Sequence, residues 1–165
     1  MPKDDQKELF VVVDKNDRIL GHRTRYDCHH DKSLIHRGIE IVIFNSKGEI
    51  LLQKRSKKKD LYPGLYTVST GGHVTKGESY RQSAERELTE ELGIKVKLKM
   101  RKKLILDSEW ETELDVIYSG IHDGPFSLDY DEIEKTDFYS PKQIKKLINK
   151  LTPFSLKVLK ELNII

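Results

Sequence analysis

Gly72-His73-Val74-Thr75-Lys76-Gly77-Glu78-Ser79-Tyr80-Arg81-Gln82-Ser83-Ala84-Glu85-Arg86-Glu87-Leu88-Thr89-Glu90-Glu91-Leu92-Gly93-Ile94 is the stretch on which the reading of this chain turns. From Glu78 to Leu92 the pattern is helical: Ala84, Leu88 and Leu92 recur at i, i+4 and i+8 and make one apolar stripe. Gly93 stands where a glycine commonly ends a helix. On another side Glu87, Glu90 and Glu91 fall at i, i+3 and i+4, which places three carboxylates together. A solvated face with i,i+4 partners is the plain reading, but the nearby bases Arg81 and Arg86 do not offset that triplet. A hard divalent cation does. Mg²⁺ takes oxygen ligands octahedrally, keeps several waters, and is normally held by a few carboxylates together with substrate phosphate oxygens.

Outward from this stretch, the 165 residues make one domain with a single core and no domain boundary, repeat or low-complexity tract. With 36% hydrophobic and 35% charged residues the expected protein is soluble, with a thin core under a heavily solvated surface. The lone cysteine, Cys28, excludes an internal disulfide and suits a reducing cytoplasm. The start of the chain is too polar for a signal peptide, and no apolar run approaches the ~20 residues that span a membrane. The expected location is therefore cytoplasmic. A net charge of +3 does not by itself argue for nucleic acid. The bases do cluster, at Lys54 to Lys59 and at Lys95 to Lys103.

The elements fall in mixed order. Leu9–Val13 reads as a strand, followed by the turn cluster Asp14–Asp17 and a second strand over Arg18–Tyr26. Ile39–Phe44 is the strongest strand, and the turn Asn45-Ser46-Lys47-Gly48 joins it to Ile50–Arg55 as a hairpin. After the bend Tyr62-Pro63-Gly64, Leu65–Thr70 is a strand running into Gly71-Gly72. Further strands are expected around Leu98–Leu106 and Leu114–Ile121. Ser140-Pro141 and Thr152-Pro153 each place a capping hydroxyl before a proline at the first helical position. Strands and helices in this order imply an α/β (α+β) fold, a mixed sheet flanked by helices.

The opening stretch also resembles a known family. It fits every position of the Nudix box, G-x5-E-x7-R-E-U-x-E-E-x-G-U with U a bulky aliphatic, over residues 72–94. Seven of those positions demand one residue type, so a chance match at a given start is on the order of 10⁻⁸. The resemblance implies a Nudix-type α/β/α sandwich with a loop–helix–loop element, its core over about 35–163. It implies a Mg²⁺-dependent hydrolase, with Mn²⁺ as a substitute, acting on a small-molecule diphosphate. By carry-over Glu87, Glu90 and Glu91 look like the metal ligands, with the Gly72 carbonyl as a further oxygen. Arg86 is expected to pair with Glu78 and orient Glu87. One glutamate must act as base, with Glu90 preferred over Glu87, Glu91 or a loop glutamate.

Beyond the box, Val13–Gly21, Leu34–Gly38 and Leu61–Tyr66 look like the branch that includes isopentenyl-diphosphate isomerases and their hydrolase-type relatives. Those isomerases hold a divalent metal with three histidines and two glutamates. At matching spacing this chain offers His29, His36, His73, Glu111 and Glu113 as a second metal site. Arg55 and Lys59 match an arginine and a lysine that contact diphosphate in the same branch. The isomerase acid/base cysteine, however, corresponds to Gly71, and glycine relays no proton. The leading expectation is thus a diphosphatase on a nucleoside- or isoprenoid-like diphosphate. An isomerase and a non-catalytic diphosphate-binding module are the alternatives. Decapping or other nucleic-acid work predicts a basic stripe with exposed aromatics, whereas aromatic content is 8% and Trp110, beside Glu-x-Glu, reads as pocket lining. Asp107–Asp137 is the expected pocket region. The N-terminal strand pairs either with a second subunit or within its own sheet, giving a monomer or a homodimer.

Overall fold

The β-branched run around Ile39 becomes the axis of the molecule. The computed structural model describes residues 4–165, and among these the chain order is β1 (Leu9–Val13), β2 (Ile19–Thr24), α1 (Arg25–His30), β3 (Ile35–Phe44), β4 (Ile50–Arg55), β5 (Tyr66–Val68), β6 (Thr70–His73), α2 (Tyr80–Glu87), β7 (Lys99–Asp107), β8 (Thr112–Ile121), β9 (Ile133–Tyr139), α3 (Pro141–Lys145) and α4 (Pro153–Glu161). β3 pairs in parallel with β8 along its whole length, Ile35 to Thr112 through Phe44 to Ile121. Its other edge is shared: β1 takes one end, β6 the middle, and β4 touches only at Phe44 and Ile50. β4 then diverges and pairs with β5 and β9. The expected hairpin is therefore a hinge between two halves of a mixed sheet.

Ser69 closes the inner end of that split. Its hydroxyl accepts from the Ile43 amide at 2.7 Å and donates to the Leu51 carbonyl at 2.7 Å. The expected single strand Leu65–Thr70 breaks at this serine: β5 stays with β4, and β6 crosses to β3. Likewise the second strand ends at Thr24. That hydroxyl caps α1 in a reciprocal box with Asp27, so Arg25 and Tyr26 are helical. β1 pairs with β2 and β3 of its own chain, which settles its sheet partner.

Two cores flank the sheet, making an α/β/α sandwich. On one side Ala84, Leu88 and Leu92, all at 1% exposure or less, pack on Ile39, Ile41 and Ile43 of β3. On the other, Ile144 of α3 and Val158 and Leu159 of α4 pack on Val42, Leu52 and Ile117. Both proline-started helices begin where expected, with Ser140 and Thr152 accepting from Gln143 and Ser155 amides. Because side chains alternate along a strand, His36 and Glu40 share the Val42 face of β3. β8 sets Glu113 and Asp115 opposite His36 and Gly38.

The box helix departs from its expected form at both ends. It starts at Ser79, whose hydroxyl accepts from the Gln82 amide while the Gln82 side chain accepts from the Ser79 amide; Glu78 stays in the preceding loop. Its last turn, Leu88–Leu92, widens to a π-helix and closes on Gly93 at φ 65°. Such wide turns are frequent at functional sites.

Candidate metal and diphosphate site

One cleft of about 260 Å³, open to solvent, lies over the split in the sheet. Arg55, Lys59, Gly72, His73, Arg86, Glu87, Glu90, Glu91, Glu111 and Glu113 all line it, and His29 and His36 are buried residues that do not. Trp110 is 46% exposed and does not line the cleft, contrary to expectation: the turn that carries it projects outward before β8 begins. Of the expected pocket region Glu111, Glu113, Asp129 and Glu132 reach the cleft.

The three box carboxylates are not equivalent. Glu91 is 8% exposed, and its Oε2 accepts from the Thr70 hydroxyl of β6. The Glu87 side chain, 14% exposed, lies flat on Gly72, where a Cβ would meet its carboxylate carbon at 2.6 Å. Glycine is required there for room. The Glu90 side chain is 56% exposed at the rim. Burial pushes the Glu87 carboxyl up to about 7 against the pull of Arg86. Burial, then the neighbouring Glu87 and Glu132, pushes Glu91 well above the carboxylate range. The local bases offset more of this charge than expected. Arg86 donates to Glu78 at 2.7 and 3.1 Å, to Glu87 at 2.8 Å and to Glu90 at 3.2 Å.

Beside them the histidines converge. Ligand atoms of His29, His36, His73 and Glu111 all lie within 4.8 Å of one another. Glu113 Oε1 stands 2.9 Å from His73 Nε2 and 3.2 Å from His36 Nε2. α1 delivers His29, β3 His36, β6 His73, and β8 with the turn before it the two glutamates. Phe10 backs the cluster, stacked on His73 at 4.1 Å and on His36 at 5.2 Å between ring centroids. Burial works against the charge on Glu111, yet the imidazoles of His29, His36 and His73 hold it well below its ordinary range. Burial opposes charge on His36 as well, but Cys28 and Glu111 beside it raise that imidazole to about 9. Burial drives His73 the opposite way, well below the ordinary histidine value. Burial and then Glu111 push Glu113 well above its own.

The cationic wall is already engaged. Arg55 donates through Nε and Nη2 to the Leu61 carbonyl at 3.1 and 2.9 Å. Lys59 Nζ sits between Asp4 at 2.6 Å and Glu132 at 2.5 Å. Asp4, Phe10 and Glu40 are site residues that sequence reasoning missed. The first two come from segments remote from the box, with no motif around them, and Glu40 is masked by the apolar run that surrounds it.

Residues 34–162 match the family model of the NUDIX domain. The chain belongs to the Nudix family. It is 38% identical to an uncharacterised Nudix hydrolase of Pseudomonas aeruginosa, over 82% of this chain and 80% of that protein. It is 32% identical to the chloroplastic isopentenyl-diphosphate Delta-isomerase I of Arabidopsis thaliana, over 85% of this chain but only 57% of that protein. A Deinococcus radiodurans protein of known crystal structure shares the fold at a TM-score of 0.82 and 20% identity, covering 93% of this chain and 98% of its own. The chain is accordingly a Nudix hydrolase of the diphosphate-cleaving type with isomerase-like relatives. Nudix hydrolases use divalent metals, and the His/Glu cluster is a candidate metal-binding group beyond the box. No helix among the described residues is long and apolar enough to cross a membrane.

Proposed function

We propose that the chain is a Mg²⁺-dependent hydrolase that cleaves the phosphoanhydride of a small organic diphosphate. The observation that carries this reading is the sharing of one cleft by the box carboxylates and the cationic pair Arg55 and Lys59. Glu87, Glu90, Glu91 and the Gly72 carbonyl are the residues that would hold Mg²⁺ or Mn²⁺. The donor set suits such an ion: it is all oxygen, burial raises the proton affinity of both Glu87 and Glu91, and the Glu87 charge raises that of Glu91 further, a penalty that a cation would relieve. A bound cation neutralises diphosphate oxygens and makes water a better nucleophile at neutral pH.

The protein's own residues do the rest. Arg86, braced on Glu78, fixes the Glu87 carboxylate. Arg55 offers a planar guanidinium and Lys59 a point charge to the phosphates. Glu90, at the rim and held by Arg86 at 3.2 Å, takes the proton of the attacking water.

The His/Glu cluster is the proposed second metal site. His29 Nε2 and Glu111 Oε2 stand 2.7 Å apart, yet neither atom has a partner with hydrogen-bond geometry. Only His36 Nε2 and Glu113 Oε1, 3.2 Å apart, hydrogen-bond within the cluster, and the unpaired His29 and Glu111 atoms crowded beside them suit a cation at that point. The same cluster favours the isomerase reading, which Gly71 opposes, and the intact box speaks against a binding module without turnover. Phosphoanhydride cleavage of nucleotide, sugar-nucleotide and isoprenoid diphosphates, for the wild type, Glu90→Gln and Glu91→Gln, tests the proposal, read as inorganic phosphate or, where cleavage gives two phosphomonoesters, as phosphate freed from them by added alkaline phosphatase. Hydrolysis of one class with Mg²⁺, lost in both variants, supports it. Silence across the panel with Mg²⁺ binding intact moves the assignment to the binding module.

A further inference from the structure

Glu40 is a buried acid that neither the box nor the histidine cluster uses. It lies mid-strand on β3, 6% exposed, and lines the cleft. Its register partner is Gly71 of β6. A Cβ at position 71 would lie 2.9 Å from Glu40 Oε2 and 3.1 Å from Oε1. The backbone of Gly71 is not in the left-handed region, so glycine serves here to make room. The Glu40 carboxyl thus fills the space that a side chain at 71 would take. Glu40 Oε2 is sealed from solvent and has no hydrogen-bond partner, a condition that costs free energy unless something else satisfies it. Tyr62, also on the cleft wall, has its hydroxyl buried without a partner. Gln53 adds a third polar side chain, held by its bond to the Ser69 carbonyl at 3.0 Å.

We propose that Glu40 reads the organic half of the substrate by hydrogen bonding, and that this half is hydroxylated, a ribose or other sugar, and not a prenyl hydrocarbon. The inference rests on the diphosphate reading above and names its substrate class. A hydrocarbon chain would leave the Glu40 and Tyr62 oxygens buried and unpaired, and sites built to hydrogen-bond a hydroxyl reject analogues that lack it. Burial, then the neighbouring Asp115, pushes the Glu40 carboxyl well above its ordinary range, with Arg55 opposing. As a neutral acid it donates and accepts without repelling an anionic substrate.

The test uses the full chain with Mg²⁺ and non-hydrolysable probes, read by calorimetry. The hydroxylated probes are the adenosine and uridine α,β-methylene diphosphates; the hydrocarbon probe is the corresponding dimethylallyl methylene-diphosphonate. The wild type is expected to prefer at least one nucleoside probe by about tenfold or more. Glu40→Leu should erase that preference by weakening only the nucleoside probes, and the isosteric Glu40→Gln should keep part of it. Equal or better binding of the prenyl probe by the wild type overturns the proposal. So does a Glu40→Leu variant that weakens all probes alike, or failure of both nucleoside probes to bind. Hydrolysis of the parent diphosphates is read separately. Discrimination without turnover defeats the hydrolase reading alone, and turnover without Glu40-dependent discrimination defeats this one alone.

Discussion

Stripping divalent metal and raising the pH from 5 to 8 loads one identifiable group with charge. Burial pushes the Glu87 carboxyl up to about 7, from an ordinary value of 4.5 that the unfolded chain restores. Between those values the folded chain keeps a proton that the unfolded chain has released, so stability falls as the pH rises through the window. Below 4.5 both states are protonated and nothing is lost; above about 7 both are ionised and the loss is complete. At about 1.4 kcal/mol per pH unit the loss is roughly 3 kcal/mol, a large share of the ~5–15 kcal/mol that holds a domain folded. Other groups titrate too. His36, raised to about 9, contributes stability that is full below 6.5 and lost as pH rises through 9. Glu91 and Glu113 are displaced in the same direction as Glu87. Comparing wild type with Glu87→Gln cancels most of those shared contributions. Urea unfolding in EDTA at four pH values should show the wild type losing about 3 kcal/mol more than Glu87→Gln between pH 5 and 8. Mg²⁺ should recover that loss in the wild type only. Parallel stability curves for the two proteins, or a wild type that gains on the variant as pH rises, would show that Glu87 carries no such charge penalty.

Gly72→Ala drives a methyl into the Glu87 carboxylate; activity should fall by about tenfold or more, with circular dichroism unchanged. Asp4→Asn removes one of the two carboxylates that occupy Lys59. The KM for the hydrolysed diphosphate should drop several-fold, most at low salt, in a salt-resolved kinetic series. His36→Gln should lower bound Mn²⁺ by one ion per chain, measured by metal analysis after equilibrium dialysis, because it removes one donor from the buried cluster; an unchanged ion count counts against the second site.

Periodicity and motif spacing carried much of the fold. The apolar stripe Ala84, Leu88, Leu92 did become the buried face of the box helix, and both Ser/Thr-Pro starts became helix caps. The paired site residues Glu78 and Arg86 meet as the resemblance implied. What stayed illegible was set by long-range contact. β9, Ile133–Tyr139, runs through four consecutive polar residues, Glu134 to Asp137, and looks like a polar loop until β4 pairs with it. The break at Ser69 depends on two backbone partners from different strands, Ile43 and Leu51. The π-turn, within which Glu91 is buried and Glu90 exposed, follows from no local preference of Leu88–Leu92. Glu40 reads as one polar step in an apolar strand, and only its register with Gly71 shows why each residue is there.

The central claim, water attack on a phosphoanhydride supported by the box carboxylates, is tested most directly by isotope. The diphosphate panel is incubated with the protein and Mg²⁺ in ¹⁸O-water, and the products are weighed by mass spectrometry. One ¹⁸O atom per cleavage is expected in a phosphate product, and Glu90→Gln should form none. Label in an organic alcohol, or an unlabelled allylic isomer of the substrate, would contradict the claim.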